Sequence, residues 1–251
     1  MESNNLISEA KKEKNKIKSY AKYENIQADY FLIKIFNNLE KKKALNMIKY
    51  NKNIKNRINI NINDYKGHSE KYSSIEIEIK LLNNKNGKFI NIKKEEEKYY
   101  HIYFNNNEEE IKRKYIDKDE EIKIIKIIID YQVESFESLF RNCYCIESIY
   151  FKKFCRNNIN NMGSMFLACS SLKELNLNNF NTINVTNMGY MFEKCLSLKE
   201  LNLNSFNINN IIDMRFMFFE CSSLENLNIS NFNNNKIKYI RFMFSGCSSL
   251  K

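Results

Sequence analysis

The sequence predicts an α/β fold, with a C-terminal solenoid of stacked repeats and a parallel sheet, preceded by a small helical segment and a short β-rich lead-in. Three observations support this prediction. Cysteines recur at a fixed interval, the apolar spacing changes from helical to strand-like within each interval, and an apolar content of 43% in 251 residues can fill a core.

The repeat interval is 26 residues. The cysteines in this register are Cys143, Cys169, Cys195, Cys221 and Cys247. Beside them stand the apolar residues Leu139, Met165, Met191, Met217 and Met243, and the rings Phe140, Phe166, Phe192, Phe218 and Phe244. Because internal repeats determine the whole architecture, this register is the most specific signal in the chain.

Each repeat combines two apolar patterns. The first has the spacing i, i+3, i+4, i+7, as at Met188, Met191, Phe192 and Cys195. This spacing predicts a short helix or helical turn with one core-facing side. The second has the skeleton L-x-x-L-x-L-x-x-F, as at Leu198, Leu201, Leu203 and Phe206. Its central alternation predicts a short strand, and units of this kind must stack on one another to bury their apolar faces.

The units MGSMFLACSSLKELNLNNFNTINVTN and MGYMFEKCLSLKELNLNSFNINNIID resemble leucine-rich repeats of the BspA type, found in bacterial surface proteins and in protist families. The resemblance covers about residues 121–251. It implies a leucine-rich-repeat solenoid that binds proteins without catalysis and without a cofactor. An exported surface adhesin is a further alternative, although this sequence lacks the export signal of the bacterial members.

Three segments are predicted, at 1–66, 67–120 and 121–251, the last with five repeat units of which the fifth is incomplete. In the first segment Leu32, Ile35, Phe36 and Leu39 have helical spacing. Residues 26–60 are similar to an F-box, which implies docking onto a Skp1-type adaptor and the alternative function of a ubiquitin-ligase substrate receptor. A generic two-helix hairpin explains the same residues. In the second segment, alternation at 74–81, 88–94 and 99–105 predicts strands.

The net charge of +10 arises in one segment, because residues 11–60 hold 14 Lys and Arg against 4 Asp and Glu. A patch for nucleic acid or an anionic membrane is one explanation. A solvated helical surface is the favoured one, so a nucleic-acid partner is not predicted.

The chain shows no catalytic, cofactor or metal motif, and we therefore predict a protein that is not an enzyme. His68 and His101 are the only histidines, and neither has Cys or His at metal-ligand spacing. The odd number of seven cysteines indicates reduced thiols rather than disulfides. No apolar run is long enough to span a bilayer, and the N-terminus lacks the apolar region of a signal peptide. A cytoplasmic location is predicted, with nuclear and surface locations left open.

The outward face of the repeat strands is the predicted site of protein binding. If the alternate leucines point inward, the residues between them point outward. These residues are Ser148, Tyr150 and Lys152; Glu174, Asn176 and Asn178; Glu200, Asn202 and Asn204; and Asn226, Asn228 and Ser230. Tyr150 is their one aromatic anchor. The alternative is an asparagine ladder that is merely solvated.

Overall fold

The computed structural model describes residues 73–233 and 236–251. All of them belong to one compact unit that begins at Glu70. The predicted helical segment at 1–66, the F-box-like match with its adaptor at 26–60 and the lysine-rich segment at 11–60 lie outside the described residues, and they stay predictions.

Nine strands and one short helix make up the regular structure of the described residues. The strands are β1 (Ile75–Leu81), β2 (Gly87–Lys88), β3 (Tyr100–Phe104), β4 (Tyr115–Ile116), β5 (Ile124–Ile129), β6 (Ile146–Lys153), β7 (Glu174–Asn176), β8 (Glu200–Asn202) and β9 (Asn226–Asn228). The helix is a 3-10 helix of six residues, Lys94–Tyr99.

The predicted fold class, an α/β leucine-rich-repeat solenoid preceded by a small helical segment, is wrong for the part of the chain that the structure describes. That part holds no α-helix, and its sheets are mixed, with antiparallel and parallel strands in one sheet. Residues 73–233 and 236–251 are therefore almost entirely β-strand, turn and irregular backbone.

Rows of turns occupy the positions where the apolar spacing predicted a helix. Two residues of each such row, for example Tyr190 and Lys194, have positive φ angles of 61° and 58°. A residue in that left-handed region cannot continue a right-handed helix. The backbone N–H of Tyr190 donates to the carbonyl of Arg215 in the next repeat at 2.8 Å, rather than to its own turn. The spacing i, i+3, i+4, i+7 thus marks the buried side of a chain of turns.

The largest sheet has five strands in the order β3-β5-β1-β6-β7. Strand β1 pairs antiparallel with β5 and with β6, whereas β6 pairs parallel with β7. The alternate residues Ile75, Ile77, Ile79 and Leu81 of β1 are buried, as expected for a strand with one core-facing side. The lead-in strands β1, β3 and β5 therefore share one sheet with the first two repeat strands, whereas β2 and β4 pair in a separate sheet.

Of the strand predicted at 88–94, only the first residue, Lys88, belongs to a strand. Strand β2 ends at Lys88, and the next two residues, Phe89 and Ile90, are both fully buried. Two consecutive buried side chains break the alternation that a half-buried strand requires. Asn91 follows, and its backbone N–H donates to the carbonyl of Leu139 at 2.7 Å while its Nδ2 donates to that of Arg141 at 2.8 Å. This segment therefore caps carbonyl groups of the first row of turns.

The repeats stack with the 26-residue register of the sequence. Parallel bridges join the equivalent residues Ser135, Asn161, Asn187, Asp213 and Tyr239 in succession. We number the repeat units from these positions as unit 1 (135–160), unit 2 (161–186), unit 3 (187–212), unit 4 (213–238) and unit 5 (239–251). Strands β8 and β9, in units 3 and 4, pair parallel in a sheet of their own.

The interior of the stack is built from identical rows of side chains. The inner ring row, which we define as Phe140, Phe166, Phe192, Phe218 and Phe244, has centroid separations of 5.7, 5.6, 5.6 and 5.5 Å. Its planes are tilted by less than 10° between neighbours. The methionines and cysteines of units 2 to 4 that accompany these rings are buried, so the repeated apolar positions form one continuous core.

Gly163 offers a test of how closely successive units approach. A Cβ atom at this position would lie 2.8 Å from Nδ2 of Asn187 in the next unit. We expect Gly163→Ala to lower the free energy of unfolding by about 1–3 kcal/mol, because the Asn187 amide must move. Chemical denaturation would measure the change.

Gly189→Ala is the matched control for this substitution. The equivalent contact at Gly189, to Oδ1 of Asp213, is 3.2 Å and less severe. A larger loss of stability at Gly189 than at Gly163 would contradict the packing described.

The described residues contain no helix with the length and apolar character that a bilayer span requires.

Candidate binding surface

The repeat strands place the predicted outward residues on one exposed face. In unit 3, Glu200 and Asn202 are exposed while Leu201 between them is 3% exposed. Units 2 and 4 repeat the exposed positions, with Glu174 and Asn176 in β7 and with Asn226 and Asn228 in β9, although the leucine between them is half-buried there. The sequence pattern therefore located polar groups that are accessible to a partner.

Ser148 is an exception, because it is only 2% exposed. It lies in the middle of the five-stranded sheet, opposite Lys80 of β1 on one side and Glu174 of β7 on the other. The small hydroxymethyl group is covered by its longer neighbours, so the prediction that Ser148 faces a partner is wrong.

Tyr150 is held by its neighbours. Its hydroxyl donates to the carboxylate of Glu174, and this hydrogen bond raises the pKa of the Tyr150 hydroxyl above its usual value. The ammonium groups of Lys80 and Lys152 lie 5.4 and 5.2 Å from the centroid of its ring, within the range of cation–π attraction. Lys152 also pairs with Glu78 at 3.2 Å. The predicted anchor is thus oriented in advance at one end of the face.

An asparagine follows the central leucine in each of the strands β7, β8 and β9. The Oδ1 atoms of Asn176 and Asn202 accept the backbone N–H groups of Asn178 and Asn204, both at 3.0 Å. In unit 4 the corresponding distance, from Ser230 N to Asn228 Oδ1, is 3.4 Å. These bonds form Asx turns that end the strands. The side-chain oxygen of each of these asparagines therefore already accepts a hydrogen bond within the fold.

The Nδ2 groups of the same three asparagines remain without a hydrogen-bond acceptor within residues 73–233 and 236–251. We call Asn176, Asn202 and Asn228 the amide row. Because each of these exposed residues is fixed through its side-chain oxygen, the row holds its Nδ2 donors in a constant orientation.

An open groove of about 750 Å³ runs along the amide row. Besides Tyr150 and most of the predicted residues of units 2 to 4, its lining includes four charged residues that were not predicted, namely Lys173, Lys199, Glu225 and Lys251. Lys173, Lys199 and Glu225 immediately precede β7, β8 and β9. The repeated dipeptide Lys-Glu at 173–174 and 199–200 was the available signal.

Part of this charge is already paired between units. Lys173 lies 2.9 Å from Glu147, and Lys251 lies 3.2 Å from Glu225. Lys199 has no such partner among the described residues.

Three further predicted residues, Lys152, Asn204 and Ser230, do not line the groove. Asn204 Oδ1 accepts a hydrogen bond from Ser230 Oγ at 3.0 Å. The side chains of these two residues therefore contact each other between units 3 and 4.

Behind this surface lies the cysteine row, which we define as Cys143, Cys169, Cys195, Cys221 and Cys247. Its first four members are buried in the core, and Cys247 is half-buried. From Cys169 onward, each thiol of the row donates to a phenylalanine carbonyl of the preceding unit, as from Cys195 to Phe166 at 3.3 Å and from Cys221 to Phe192 at 3.0 Å. Burial raises the pKa of the Cys169 and Cys221 thiols to about 12. A protonated thiol without solvent access is a poor nucleophile. All seven cysteines are free.

His101 stands in a carboxylate cluster that the sequence spacing did not reveal. Its Nδ1 lies 3.0 Å from Glu110, and its Nε2 lies 3.3 Å from Asp130. Within the described ranges, no group of three or more His, Cys, Asp or Glu side chains has the arrangement of a metal site. The cluster links β3, which contains His101, to Glu110 and to Asp130, the residue directly after β5.

A comparison with protein families matches residues 134–251 to a model described as a Mycoplasma protein of unknown function, DUF285. The matched residues are the repeat units, so this part of the chain is similar to that family. No curated protein and no solved structure matches the chain significantly.

Proposed function

We propose that the chain is a non-enzymatic protein-interaction module, with repeats of the BspA type, that binds a protein partner through the groove along the amide row. The observation that supports this proposal is the row itself. Three amides at equivalent positions are oriented by their oxygens and leave their nitrogens exposed.

A polypeptide is the partner that this chemistry suits. Its backbone carbonyls accept hydrogen bonds from amide nitrogens, and its charged side chains can pair with Glu200 or Lys199. Tyr150 adds an aromatic surface at one end of the groove, of the kind enriched among residues that dominate binding energy. The groove crosses β7, β8 and β9 and reaches from Tyr150 to Lys251, which fits an extended segment.

Asn→Asp replacement of all three amides tests the proposal. An aspartate at each of these positions retains an oxygen for the Asx turn while losing the donor group. We expect the triple variant N176D/N202D/N228D to fold normally and to recover at least about tenfold less partner, because each lost hydrogen bond contributes about 0.5–1.5 kcal/mol. Quantitative mass spectrometry of proteins captured from the encoding organism would measure recovery.

Asn209→Asp is the matched control, since Asn209 is exposed and does not line the groove. Proteins retained by wild type and by N209D but lost with the triple variant would be groove-specific. If the captured set were the same for all three chains, the groove would not be the binding surface.

We also propose a cytoplasmic location, on the basis of the seven free thiols. Cell fractionation with an antibody to the chain would test it, and detection of the chain outside the cell would overturn it.

A further inference from the structure

A second row of rings lies on the turn side of the repeats and stops in the middle of the stack. This outer ring row consists of Tyr190, Phe216 and Phe242. Tyr190 and Phe216 have centroids 5.0 Å apart and planes 7° from parallel, and Phe216 and Phe242 are 5.2 Å apart with a tilt of 30°. In units 2 and 1 the equivalent positions carry Ser164 and Ser138.

The backbone does not account for the end of the outer ring row. All five equivalent residues share the left-handed conformation, with φ angles of 59° at Ser138, 56° at Ser164, 61° at Tyr190, 55° at Phe216 and 54° at Phe242. A ring is therefore compatible with this conformation, and only the small side chain of Ser164 leaves the next place in the row empty.

An open cavity of about 560 Å³, lined by residues of units 1 to 3, lies at that place. Ser164 and Tyr190 both line it, so the face of the Tyr190 ring opposite Phe216 borders the cavity. Leu167 and Ala168 contribute apolar surface, and Tyr144, which is 52% exposed, forms another part of the lining. The volume falls within the range of small-molecule sites, roughly 300–1,000 Å³.

Charged groups of both signs surround the same cavity. Arg141 and Lys194 line it, and Arg141 has no ion-pair partner in the described part of the chain. Lys194 has only a long contact of 3.8 Å with Glu220. Glu193, which also lines the cavity, is partly buried. An aromatic platform thus stands beside two cations and one hydrogen-bond-accepting carboxylate.

We propose that this cavity binds a purine nucleotide, whose base stacks on Tyr190 in the place of the missing ring. Its phosphate lies toward Arg141 and Lys194, and the Glu193 carboxylate accepts a hydrogen bond from an amino group of the base. The site shares no lining residue with the groove along the amide row, so the inference does not depend on the proposed function.

Isothermal titration of the full chain with adenosine 5′-monophosphate, adenosine and ribose 5-phosphate tests each part of this recognition. We expect the nucleotide to bind, adenosine to bind more weakly and ribose 5-phosphate to give no measurable heat. Absence of nucleotide binding at millimolar concentration, or equal binding of ribose 5-phosphate, would overturn the proposal. A further titration uses a short oligoadenylate. If it binds more tightly than the mononucleotide, the natural ligand of the site is RNA. If it binds more weakly, the natural ligand is the free nucleotide.

Ser164→Tyr would fill the cavity with a side chain that the same backbone accepts at Tyr190. We expect this variant to bind the nucleotide at least about tenfold more weakly, as for the loss of one base–aromatic stack. Ser164→Ala leaves the cavity open and should keep wild-type affinity. A melting temperature no lower than that of wild type would show that S164Y folds. Unchanged affinity of this variant for the nucleotide would contradict the proposal.

Arg141→Ala separates the phosphate contact from folding. We expect R141A to lose affinity for the nucleotide while its affinity for adenosine stays the same. An equal loss for both ligands would contradict the placement of the phosphate.

Discussion

Phe192→Ala is expected to lower the free energy of unfolding by about 3–5 kcal/mol, the range found for removal of a buried phenylalanine ring. Phe192 is fully buried at the centre of the inner ring row, with Phe166 and Phe218 each 5.6 Å away. The substitution removes both stacking contacts and leaves a cavity between adjacent units. Urea denaturation followed by circular dichroism would give the free-energy difference.

Phe244→Ala is the matched control at the same position of unit 5. Phe244 is 41% exposed, and its ring contacts only Phe218 within the inner ring row. We expect a clearly smaller loss of stability than for F192A. Equal losses would show that the continuous row does not contribute as described.

Raising the pH above 9 is expected to destabilise the fold through its buried thiols. Burial raises the pKa of Cys169 from 9.0 to about 12. In the folded chain this thiol stays protonated to higher pH than in the unfolded chain, so the unfolded state releases its proton first. The stabilisation is complete below pH 9 and is lost as the pH rises toward 12. At about pH 10.5, Cys169 alone should lower the free energy of unfolding by about 2 kcal/mol.

Cys169→Ala tests the origin of this pH dependence. We expect the variant to be less sensitive to pH between about 8 and 10.5, since only the ionisation of that thiol is removed. Cys155→Ala is the control, because Cys155 is exposed and outside the cysteine row. If C169A and C155A showed the same pH dependence as wild type, the buried thiol would not be its cause.

The repeat register and the identity of the buried side chains were readable from the sequence. Met188, Met191, Phe192 and Cys195, which were predicted to share one face, are all fully buried. The backbone that carries them was predicted incorrectly. A helix and a row of turns would bury the same four positions. Tyr190 and Lys194 have left-handed φ angles, but Tyr and Lys are not residue types that usually indicate a turn.

The candidate surfaces were also predictable from the sequence only in part. Alternation around Leu201 was sufficient to find Glu200 and Asn202 on an exposed face, whereas the burial of Ser148 required knowledge that β6 lies between β1 and β7. The cavity beside Tyr190 was not predicted, because its signal is a serine at the position where later repeats have rings.

The sequence by itself determined the 26-residue period, the residues that face the core and the polar character of the repeat strands, because burial leaves its pattern in the spacing of side chains. Only the tertiary structure decided that the described repeats are turns and strands without an α-helix. The reason is where the backbone N–H groups find their acceptors. The N–H of Tyr190 donates to the carbonyl of Arg215 in the next unit. These residues are 25 positions apart, so the sequence around Tyr190 alone does not indicate this hydrogen bond.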